Sequence, residues 1–324
     1  MKKHYEQLYG VHVWGEPLVN AVDQMEVAMQ SGPVHGAALM ADHHLGYSVP
    51  VGGVVAYHNA VSPSGVGFDI GCGNKAVKLD TKGVDILHRI PTIMDDVFST
   101  ISFGVGRTND EDVDHELFDS PVWSIPAVAP LKEMARKQLG TVGSGNHYVD
   151  LFVDEDDHIW IGVHFGSRGL GHKIATHYIK EGGGKDGIHV APVVLDTMSD
   201  LGREYVLAMG LAGEYAYAGR DWVCQRVADI IGGTIIDEVH NHHNFAWEEE
   251  HGDETLWVVR KGATPAFPGQ RGFVGASMAE PSVILKGVGG EEAERTYHST
   301  VHGAGRVLSR TQAKGKTKFD KETG

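Results

Sequence analysis

Glycine clusters that contain polar side chains constrain the fold of this chain more than any other feature. The 324 residues include 43 glycines, roughly 13% against a usual ~7%. They gather in short groups rather than in a flexible linker: SGVGFDIGCGNK, LGTVGSGNHYVD, VHFGSRGLGHK, KGATPAFPGQRG and VHGAGRVLSR. Glycine lets backbone N–H groups approach a ligand closely, and successive N–H groups form anion-binding nests. The clusters therefore predict irregular turns that surround a bound, negatively charged group.

The segments between the clusters predict helices and strands. Apolar residues recur at helical spacing over residues 16–30 and 196–231, and a short helix is expected after Pro91. Strand-like runs cover residues 49–61, 73–80, 158–165 and 254–262. The glycines inside the long helical segment either let another backbone pack closely or mark a break between two helices. They are Gly202, Gly210, Gly213 and Gly219.

The order of these segments predicts the fold class. Strands and helices mix without a regular βαβ rhythm, and no cluster matches a Walker A or dinucleotide-binding pattern. We therefore predict an α+β fold of mixed sheets with surrounding helices, and not a Rossmann fold. Because no repeat period or linker interrupts the chain, we expect residues 1–324 to form one domain.

The charge balance limits how this chain can bind nucleic acid. Twenty-eight Lys and Arg oppose 43 Asp and Glu, a formal net charge of −15. Overall charge does not attract nucleic acid to such a chain, so any site for it must be a local basic patch. The first residues are too polar for a signal peptide, and no apolar run is long enough to span a membrane. Two cysteines exclude a disulfide framework and indicate a reducing compartment, so we expect a cytoplasmic protein.

Residues of the types that bind transition metals stand inside or beside the glycine clusters. Asp69 and Cys72 are three apart in FDIGC, a spacing that lets both side chains converge on one ion. His147 follows Asn146 in GSGNH, and His164 ends an apolar run before GSRG. For each alone, a small buried cysteine or an ordinary histidine is the commoner explanation. Together they predict a site for one or two ions, with Zn²⁺ favoured by softness and Mn²⁺ or Fe²⁺ left open by the carboxylate.

Three further histidines lie in the acidic segment DEVHNHHNFAWEEEHGDE. They are His240, His242 and His243. The segment holds seven acids and no Lys or Arg, so the alternative to a metal site is a solvated acidic face, such as that of a helix.

The segment HSTVHGAGRVLSR predicts phosphate chemistry. A neutral imidazole, here that of His302, can attack phosphorus and divide one difficult displacement into two easier ones. Arg306 and Arg310 can bind phosphate oxygens bidentately, and Arg168 in GSRG adds local positive charge. The alternative is a glycine turn followed by solvated arginines.

Taken together, the clusters resemble the RNA-splicing ligase RtcB family. The motifs FDIGCG, GTVGSGNH, VHFGSRGLG, HHNF, RKGAT, FVGASM and HGAGRVLSR occur in the order of that family. DHHLGYSVPVGGV, residues 42–54, is similar to the family's early PDxHxGxGxPIGGV segment, with Ala41 where proline is usual. The likeness extends from about residue 35 to the last residues. Several spaced motifs in one order make it specific.

The resemblance implies an RtcB-like fold and a GTP-dependent ligase. Such an enzyme joins RNA 3′-phosphate or 2′,3′-cyclic phosphate ends to 5′-hydroxyl ends, through a histidine–GMP intermediate that falls on His302. It also implies two Mn²⁺ ions. One ion would be held by Asp69, Cys72 and His147, and the other by Cys72, His164 and His243. His243 is preferred to His242 because the family motif reads His-Asn and Asn244 follows His243.

The resemblance also assigns a GTP site. The residues that match it are Asn146 for a phosphate, Tyr148 and Asp150 for the guanine, Ser277 and Ser282 for the nucleotide, and Ala304 and Gly305 for a backbone contact.

Three departures from the family pattern affect these expectations. Asp150 is one methylene shorter than the glutamate usual there, and Phe165 replaces a small polar residue. The chain ends 22 residues after His302, whereas the family continues further and brings a lysine and an aromatic residue to the guanine. We therefore expect this sequence to be a fragment that lacks its C-terminal segment; the alternative is a naturally short relative with impaired guanylylation.

Two alternatives to the ligase remain at this stage. A metal-dependent phosphoesterase would use the same ligands with water as the nucleophile, and would leave His302 without a role. A non-catalytic relative would bind RNA ends and metal without joining them. For the ligase, the expected partners are GTP, the ends of tRNA halves or broken RNA, and an activating protein.

Overall fold

The computed structural model describes residues 5–8, 10–185, 187–276 and 280–303 of the chain. The strands of this part are β1 (Tyr5–Leu8), β2 (Val11–Trp14), β3 (Val34–His44), β4 (Val51–Tyr57), β5 (Ala60–Val61), β6 (Gly73–Lys82), β7 (Tyr148–Val153), β8 (His158–Phe165), β9 (Leu195–Asp196), β10 (Ile235–His242), β11 (Asn244–His251), β12 (Glu254–Lys261), β13 (Ala263–Pro265), β14 (Arg271–Val274), β15 (Val283–Lys286) and β16 (Ser299–Val301).

The α-helices of the same part are α1 (Val19–Met29), α2 (Pro63–Val66), α3 (Gly83–Ile86), α4 (Ile90–Thr100), α5 (Lys132–Gln138), α6 (Arg168–Glu181), α7 (Asp200–Ile231) and α8 (Glu291–Arg295). Short 3₁₀ helices lie at Leu87–Arg89, Glu116–Asp119, Pro121–Ser124 and Ala129–Leu131. None of the described helices is both long and apolar enough to cross a bilayer.

Two larger sheets carry most of the strands described. The first has the order β1-β2-β3-β4-β12-β11, and the second has the order β10-β6-β8-β7. In the first sheet β2 runs parallel to β3, whereas every pair of the second sheet is antiparallel. A Rossmann fold requires a mostly parallel sheet. The predicted α+β class with mixed sheets is therefore confirmed; the extent of one domain over residues 1–324 stays a prediction.

Helix α7 joins the two sheets. Its first half packs into the core beside α1, α6 and the first sheet, where Tyr205 and Met209 are buried. Its second half packs on the second sheet through Val223, Val227 and Ile231. The apolar side chains of α7 thus belong to one hydrophobic core along its first half and to a second core along its second half. A helix that contributes to both cores must be long, and α7 has 32 residues.

The glycines of α7 do not break the helix. Ser199 caps its start by accepting a hydrogen bond from the Gly202 amide, and the helix continues to Ile231. A Cβ on Gly202 would lie 2.0 Å from the carbonyl oxygen of Asp196, and one on Gly213 would lie 2.7 Å from a ring carbon of Phe245. The predicted close approach of another backbone is right at Gly202, whereas Gly213 makes room for a ring, and the alternative of a break between two helices is wrong.

The acidic segment around the histidines is not a helix. It forms β10 and β11, which belong to different sheets and meet at His243. From Trp247 to His251 the side chains of β11 alternate, so that Glu248 and Glu250 are exposed while the residues on either side of them are partly buried. The suggestion of a helical face was wrong because the period of this segment is two residues.

Candidate metal centre and nucleophile

Four strand ends meet at one edge of the second sheet and bring the predicted site residues together. Gly73, at the start of β6, is opposite Phe165 at the end of β8 and His242 at the end of β10. Tyr148, at the start of β7, is opposite His164. In antiparallel pairing the start of one strand meets the end of its neighbour. The residues just before β6 and β7 and just after β10 therefore become neighbours.

Cys72, His147 and His164 form a compact group of metal-binding atoms, here called the thiol–imidazole cluster. The Sγ atom of Cys72 lies 3.4 Å from Nε2 of His164 and 3.8 Å from Nε2 of His147. These three atoms all lie within 4.8 Å of one another. Cys72 and His164 are buried, and His147 is partly buried. One sulfur and two nitrogens at such separations can share a single cation.

Hydrogen bonds orient both imidazoles of the cluster. Nδ1 of His147 lies 2.9 Å from the carbonyl oxygen of Val142, and Nδ1 of His164 lies 2.7 Å from Oδ1 of Asn74. For His164, the oxygen acceptor keeps the proton on Nδ1, so that Nε2 presents its lone pair to the thiol. Asn74 is itself buried and donates to a backbone carbonyl at 2.9 Å. The hydrogen bonds thus fix the orientation of both rings and hold His164 in the form that binds metal.

Asp69 and Arg168 lie beside His147. Oδ2 of Asp69 is 2.9 Å from Nε2 of His147, and Nη1 of Arg168 is 3.2 Å from Nδ1 of the same ring. Burial opposes ionisation of Asp69, but the hydrogen bond and charge of His147 and the charge of Arg168 outweigh it, so the pKa of Asp69 lies below its usual value. Gly166 permits the approach, since a Cβ there would lie 2.3 Å from Oδ1 of Asp69. An ionised oxygen therefore stands next to the cluster.

His243 lies between His164 and His302. Its ring centroid is 5.0 Å from each of those two rings. Nδ1 of His243 is buried without a hydrogen-bond partner among the described residues. The neighbouring His242 faces α7 instead, where its Nδ1 is 3.0 Å from Nη2 of Arg220. Of the two histidines, His243 is the one whose ring joins the site.

His302 follows β16 directly, and its ring faces Asp42. Nδ1 of His302 is 2.8 Å from Oδ2 of Asp42, whose side chain is only 5% exposed. The backbone N–H groups of His302 and Gly303 donate to the same oxygen at 3.2 Å. Burial opposes ionisation of Asp42, but these hydrogen bonds and the charge of His302 hold its pKa below the usual value. A carboxylate at Nδ1 leaves Nε2 of His302 as the nitrogen with a lone pair.

Burial sets the protonation of the central groups in the absence of a cation. Burial and the charge of Asp69 raise the pKa of the Cys72 thiol. Burial, followed by the charges of neighbouring imidazoles, lowers the pKa of His164 and of His243 far below the usual value. Neutral imidazoles are the form that binds metal, and a coordinating cation would displace the thiol proton.

The residues predicted to bind phosphate and base border this site. Nδ2 of Asn146 is 3.3 Å from Nε2 of His164, and the Tyr148 ring is 5.5 Å from the His164 ring. The Tyr148 hydroxyl is buried without a hydrogen-bond partner in the described chain. A Cβ on Gly275 would lie 2.3 Å from that hydroxyl, and Gly275 forms a β-bridge with Gly303. Tyr148 therefore lies between the cluster and the segment that carries His302.

Asp150 and Ser282 complete the predicted residues within the described ranges. Asp150 is partly buried on β7, on the same strand face as Tyr148, and burial raises its pKa. The Ser282 hydroxyl accepts from the Ala276 amide at 3.0 Å, next to Gly275. The other predicted contacts lie outside the described residues: Ser277, Ala304, Gly305, Arg306 and Arg310.

Sequence reasoning did not single out three residues that organise the site. Asp42 appeared only as part of a longer motif, and Asn74 only as a letter in GNK. Arg220 carried no signal, because one arginine in a helical pattern is ordinarily a surface residue. In the structure Asn74 and Arg220 are fully buried.

Comparisons with known proteins identify relatives of this chain. The family described as tRNA-splicing ligase RtcB matches residues 23–124 and 123–323. The chain is 30% identical to the RNA-splicing ligase RtcB of Escherichia coli over 86% of this chain and 75% of that protein. It is 31% identical to the tRNA-splicing ligase RtcB of Archaeoglobus fulgidus, over 92% and 78%. It is 30% identical to that of Thermococcus kodakarensis, over 89% and 76%.

The family match covers nearly the whole chain and includes every residue of the thiol–imidazole cluster as well as His302. The resemblance that the motifs indicated is therefore confirmed. This chain belongs to the RtcB family of RNA ligases.

Proposed function

We propose that this chain joins RNA 3′-phosphate or 2′,3′-cyclic phosphate ends to 5′-hydroxyl ends, with GTP as the energy source and two Mn²⁺ ions as cofactors. The observation that carries the proposal is the convergence of Cys72, His147 and His164 with His243 and His302 at one sheet edge. A phosphoesterase would use the same cluster but gives no reason for an imidazole fixed by a buried carboxylate.

The donors present fit a pair of divalent cations. Asp69, Cys72 and His147 would hold one ion, and Cys72, His164 and His243 the other, with the thiolate shared. The buried Nδ1 of His243 without a partner in the described chain supports this assignment, since such a nitrogen is otherwise unfavourable. When bound, the cations neutralise phosphate charge so that an imidazole can approach phosphorus. Carboxylate, imidazole and a shared thiolate are donors compatible with manganese.

Asp42 would hold the nucleophile in its reactive form. Its Oδ2 atom lies 2.8 Å from Nδ1 of His302, and a proton held on Nδ1 by this carboxylate would leave the Nε2 lone pair for attack. The same oxygen accepts the His302 and Gly303 amides, so ring and backbone are fixed together. Positioning of this kind supplies a large part of the rate of phosphoryl-type transfer.

The proposed reaction has three steps. Water first opens any 2′,3′-cyclic phosphate to a 3′-phosphate. His302 then attacks the α-phosphorus of GTP, forming an N–P bond as pyrophosphate leaves, and the GMP passes to an oxygen of the RNA 3′-phosphate as the N–P bond breaks. The 5′-hydroxyl finally attacks the activated 3′-phosphate, and GMP leaves with the bonding electrons.

The surrounding residues would bind nucleotide and RNA. Asn146 would contact a phosphate, while Tyr148 and Asp150 would contact guanine, with Ser277, Ser282, Ala304 and Gly305 completing the GTP site. Arg168, Arg306 and Arg310 would bind phosphate groups of RNA or GTP, as a local basic patch on an acidic chain. We further propose a cytoplasmic protein whose substrates are tRNA halves or broken RNA and which uses an activating protein partner.

Labelled GTP tests the nucleophile. The purified chain is incubated with α-³²P-GTP and Mn²⁺, and the protein is examined for label that is stable to alkali and lost in acid. We expect label on the unaltered chain and on H298A, and none on H302A. His298 is a matched control four residues earlier, since its ring packs on Phe267 and His251.

Label that persists on H302A would refute the nucleophile assignment. Cleavage of a 3′-phosphate without any protein-bound label would favour the phosphoesterase. An RNA with 3′-phosphate and 5′-hydroxyl ends, added in a second assay, separates a ligase from a relative that only binds RNA ends.

A further inference from the structure

Arg220 is a buried cation at the centre of the molecule that the proposed chemistry does not use. It lies on α7 where the helix passes from the first core to the second, and its side chain is 0% exposed. A guanidinium stays charged in proteins, so its burial needs a compensating set of hydrogen bonds. The partners of Arg220 therefore indicate what its burial achieves.

The guanidinium binds the backbone on both sides of the thiol–imidazole cluster. Nη1 donates to the carbonyl oxygen of Gly71 at 2.8 Å and to that of Phe165 at 2.6 Å. Gly71 immediately precedes Cys72, and Phe165 immediately follows His164. One nitrogen therefore ties together the two segments that carry the central sulfur and a central imidazole.

The other nitrogens of Arg220 bind the strand that leads to His243. Nε donates to Nε2 of His240 at 2.9 Å, and Nη2 lies 3.0 Å from Nδ1 of His242. Burial lowers the pKa of His240 to about 3, so this imidazole is neutral and accepts the hydrogen bond. Three separate segments, before β6, at the end of β8 and along β10, thus converge on one planar group.

No hydrogen bond described for Arg220 goes to a carboxylate. Its partners are two carbonyl oxygens and two imidazoles. Its nearest aromatic partner is Tyr217, with 5.2 Å between the guanidinium carbon and the ring centroid. The positive charge of Arg220 is therefore left beside the thiol and the carboxylate of the site, where it complements their negative charge when they bind metal.

We infer that Arg220 is a positioning residue of the metal centre, whose fork of N–H donors holds the segments of Cys72, His164 and His243 at the spacing that a cation requires. This inference rests on the proposed metal site. A lysine at this position would keep the charge but offers one nitrogen in place of three, so it cannot bind both carbonyls and both imidazoles at once. The contribution of the several N–H donors can therefore be separated from that of the positive charge by comparing lysine and methionine variants.

The test compares R220K and R220M with R226K in the full chain. Arg226 lies on the same helix but is partly exposed and pairs with Glu111, so it is a matched control. The first measurement is hydrogen exchange of the metal-free protein over residues 66–78, 159–167 and 236–246. We expect exchange there to be at least ~10-fold faster in R220K than in the unaltered chain, with the rest of the protein and R226K unchanged.

The second measurement is titration with Co²⁺, whose near-ultraviolet thiolate band reports a sulfur–metal bond. Residues that orient metal ligands typically change metal affinity by about 10- to 100-fold, and we expect a loss in that range for both Arg220 variants. If R220M fails to fold, R220K still decides the question.

Unchanged exchange and unchanged Co²⁺ affinity in R220K would overturn the inference. The inference would also be overturned if R220K bound Co²⁺ as tightly as the unaltered chain while R220M bound it more weakly. A positive charge at this position would then be sufficient to hold the metal ligands. If the unaltered chain gives no Co²⁺ band, the proposed metal centre is refuted. The hydrogen-exchange rates alone then show whether Arg220 holds the segments of Cys72, His164 and His243 together.

Discussion

Arg220 and Arg260 are both fully buried, but their partners differ in kind. Arg260 forms a bidentate ion pair with Glu249, with N–O distances of 2.6 and 2.9 Å. It also donates to the Ser299 hydroxyl and to the Tyr297 carbonyl oxygen, each at 2.7 Å. Arg220 binds carbonyl oxygens and imidazoles only. One buried cation is hydrogen-bonded to a carboxylate, and the other is not.

The different partners of Arg260 and Arg220 correspond to two different ways in which a buried arginine can support a functional site. The Arg260–Glu249 pair is neutral as a unit and fixes the start of β16, the strand that leads to His302. Arg220 leaves its charge near the ionised carboxylate of Asp69 and near the Cys72 thiol, which becomes negative when it binds a cation. A neutral pair suits a structural support for the nucleophile, whereas an uncompensated cation suits the metal ligands themselves.

The largest effect should follow from removing the carboxylate of the neutral pair. E249A leaves Arg260 buried without its counter-charge, and breaking a buried pair in this way typically costs about 3–5 kcal/mol. Urea denaturation of the metal-free chain should show this loss in the free energy of unfolding. The exposed neighbour provides the control, since E248A should change stability by less than ~0.5 kcal/mol. Equal stability of the two variants would mean that the pair does not support the fold.

A smaller effect is expected from S299A. This change removes the acceptor of Nε of Arg260 but leaves the ion pair with Glu249 in place. Hydrogen bonds to charged groups contribute about 1.5–3 kcal/mol, and thermal or urea unfolding should show a loss in that range. The Co²⁺ band should stay unchanged, because Arg260 contacts none of the proposed ligands in the described chain. A lost band would contradict the separation between the two arginines.

The smallest effect should be a difference in pH dependence. Burial opposes ionisation of Glu249, but the Arg260 charge and the hydrogen bonds of His251 and Arg260 outweigh it and lower its pKa below the ordinary 4.5. A lowered pKa in the folded state adds stability above pH 4.5, which is lost as pH falls through the folded value. The stability difference between the unaltered chain and E249Q should therefore shrink on acidification from about pH 6 to pH 3. A constant difference would show that Glu249 does not titrate in this way.

The sequence predicted those elements whose pattern is local. Residues 158–165 were predicted as a strand, and β8 has the same bounds, because the strand is largely apolar and is buried without interruption from Ile161 to Phe165. The long helix was predicted across residues 196–231, although its glycines left open a break that the uninterrupted helix from Asp200 to Ile231 rules out. For the acidic segment, the alternative of a helical face was wrong, because the segment forms the strands β10 and β11.

The candidate site was predicted in part. Asp69, Cys72, His147 and His164 were named because each stands in a glycine cluster, and the structure brings them together. The roles of these residues, the two ions and the GTP site stay predictions. Asp42 was not paired with His302, because no local pattern connects residues 260 positions apart.

The chain itself supplies a thiol, a carboxylate and imidazoles, each next to glycines that free the backbone to turn. Side-chain chemistry and backbone freedom are properties of single residues and their neighbours, so they can be read along the chain. Only the tertiary structure determines that antiparallel pairing brings four strand ends together and that α7 places Arg220 between them. Register and burial depend on which distant surfaces pack together, and that choice is made by the whole core.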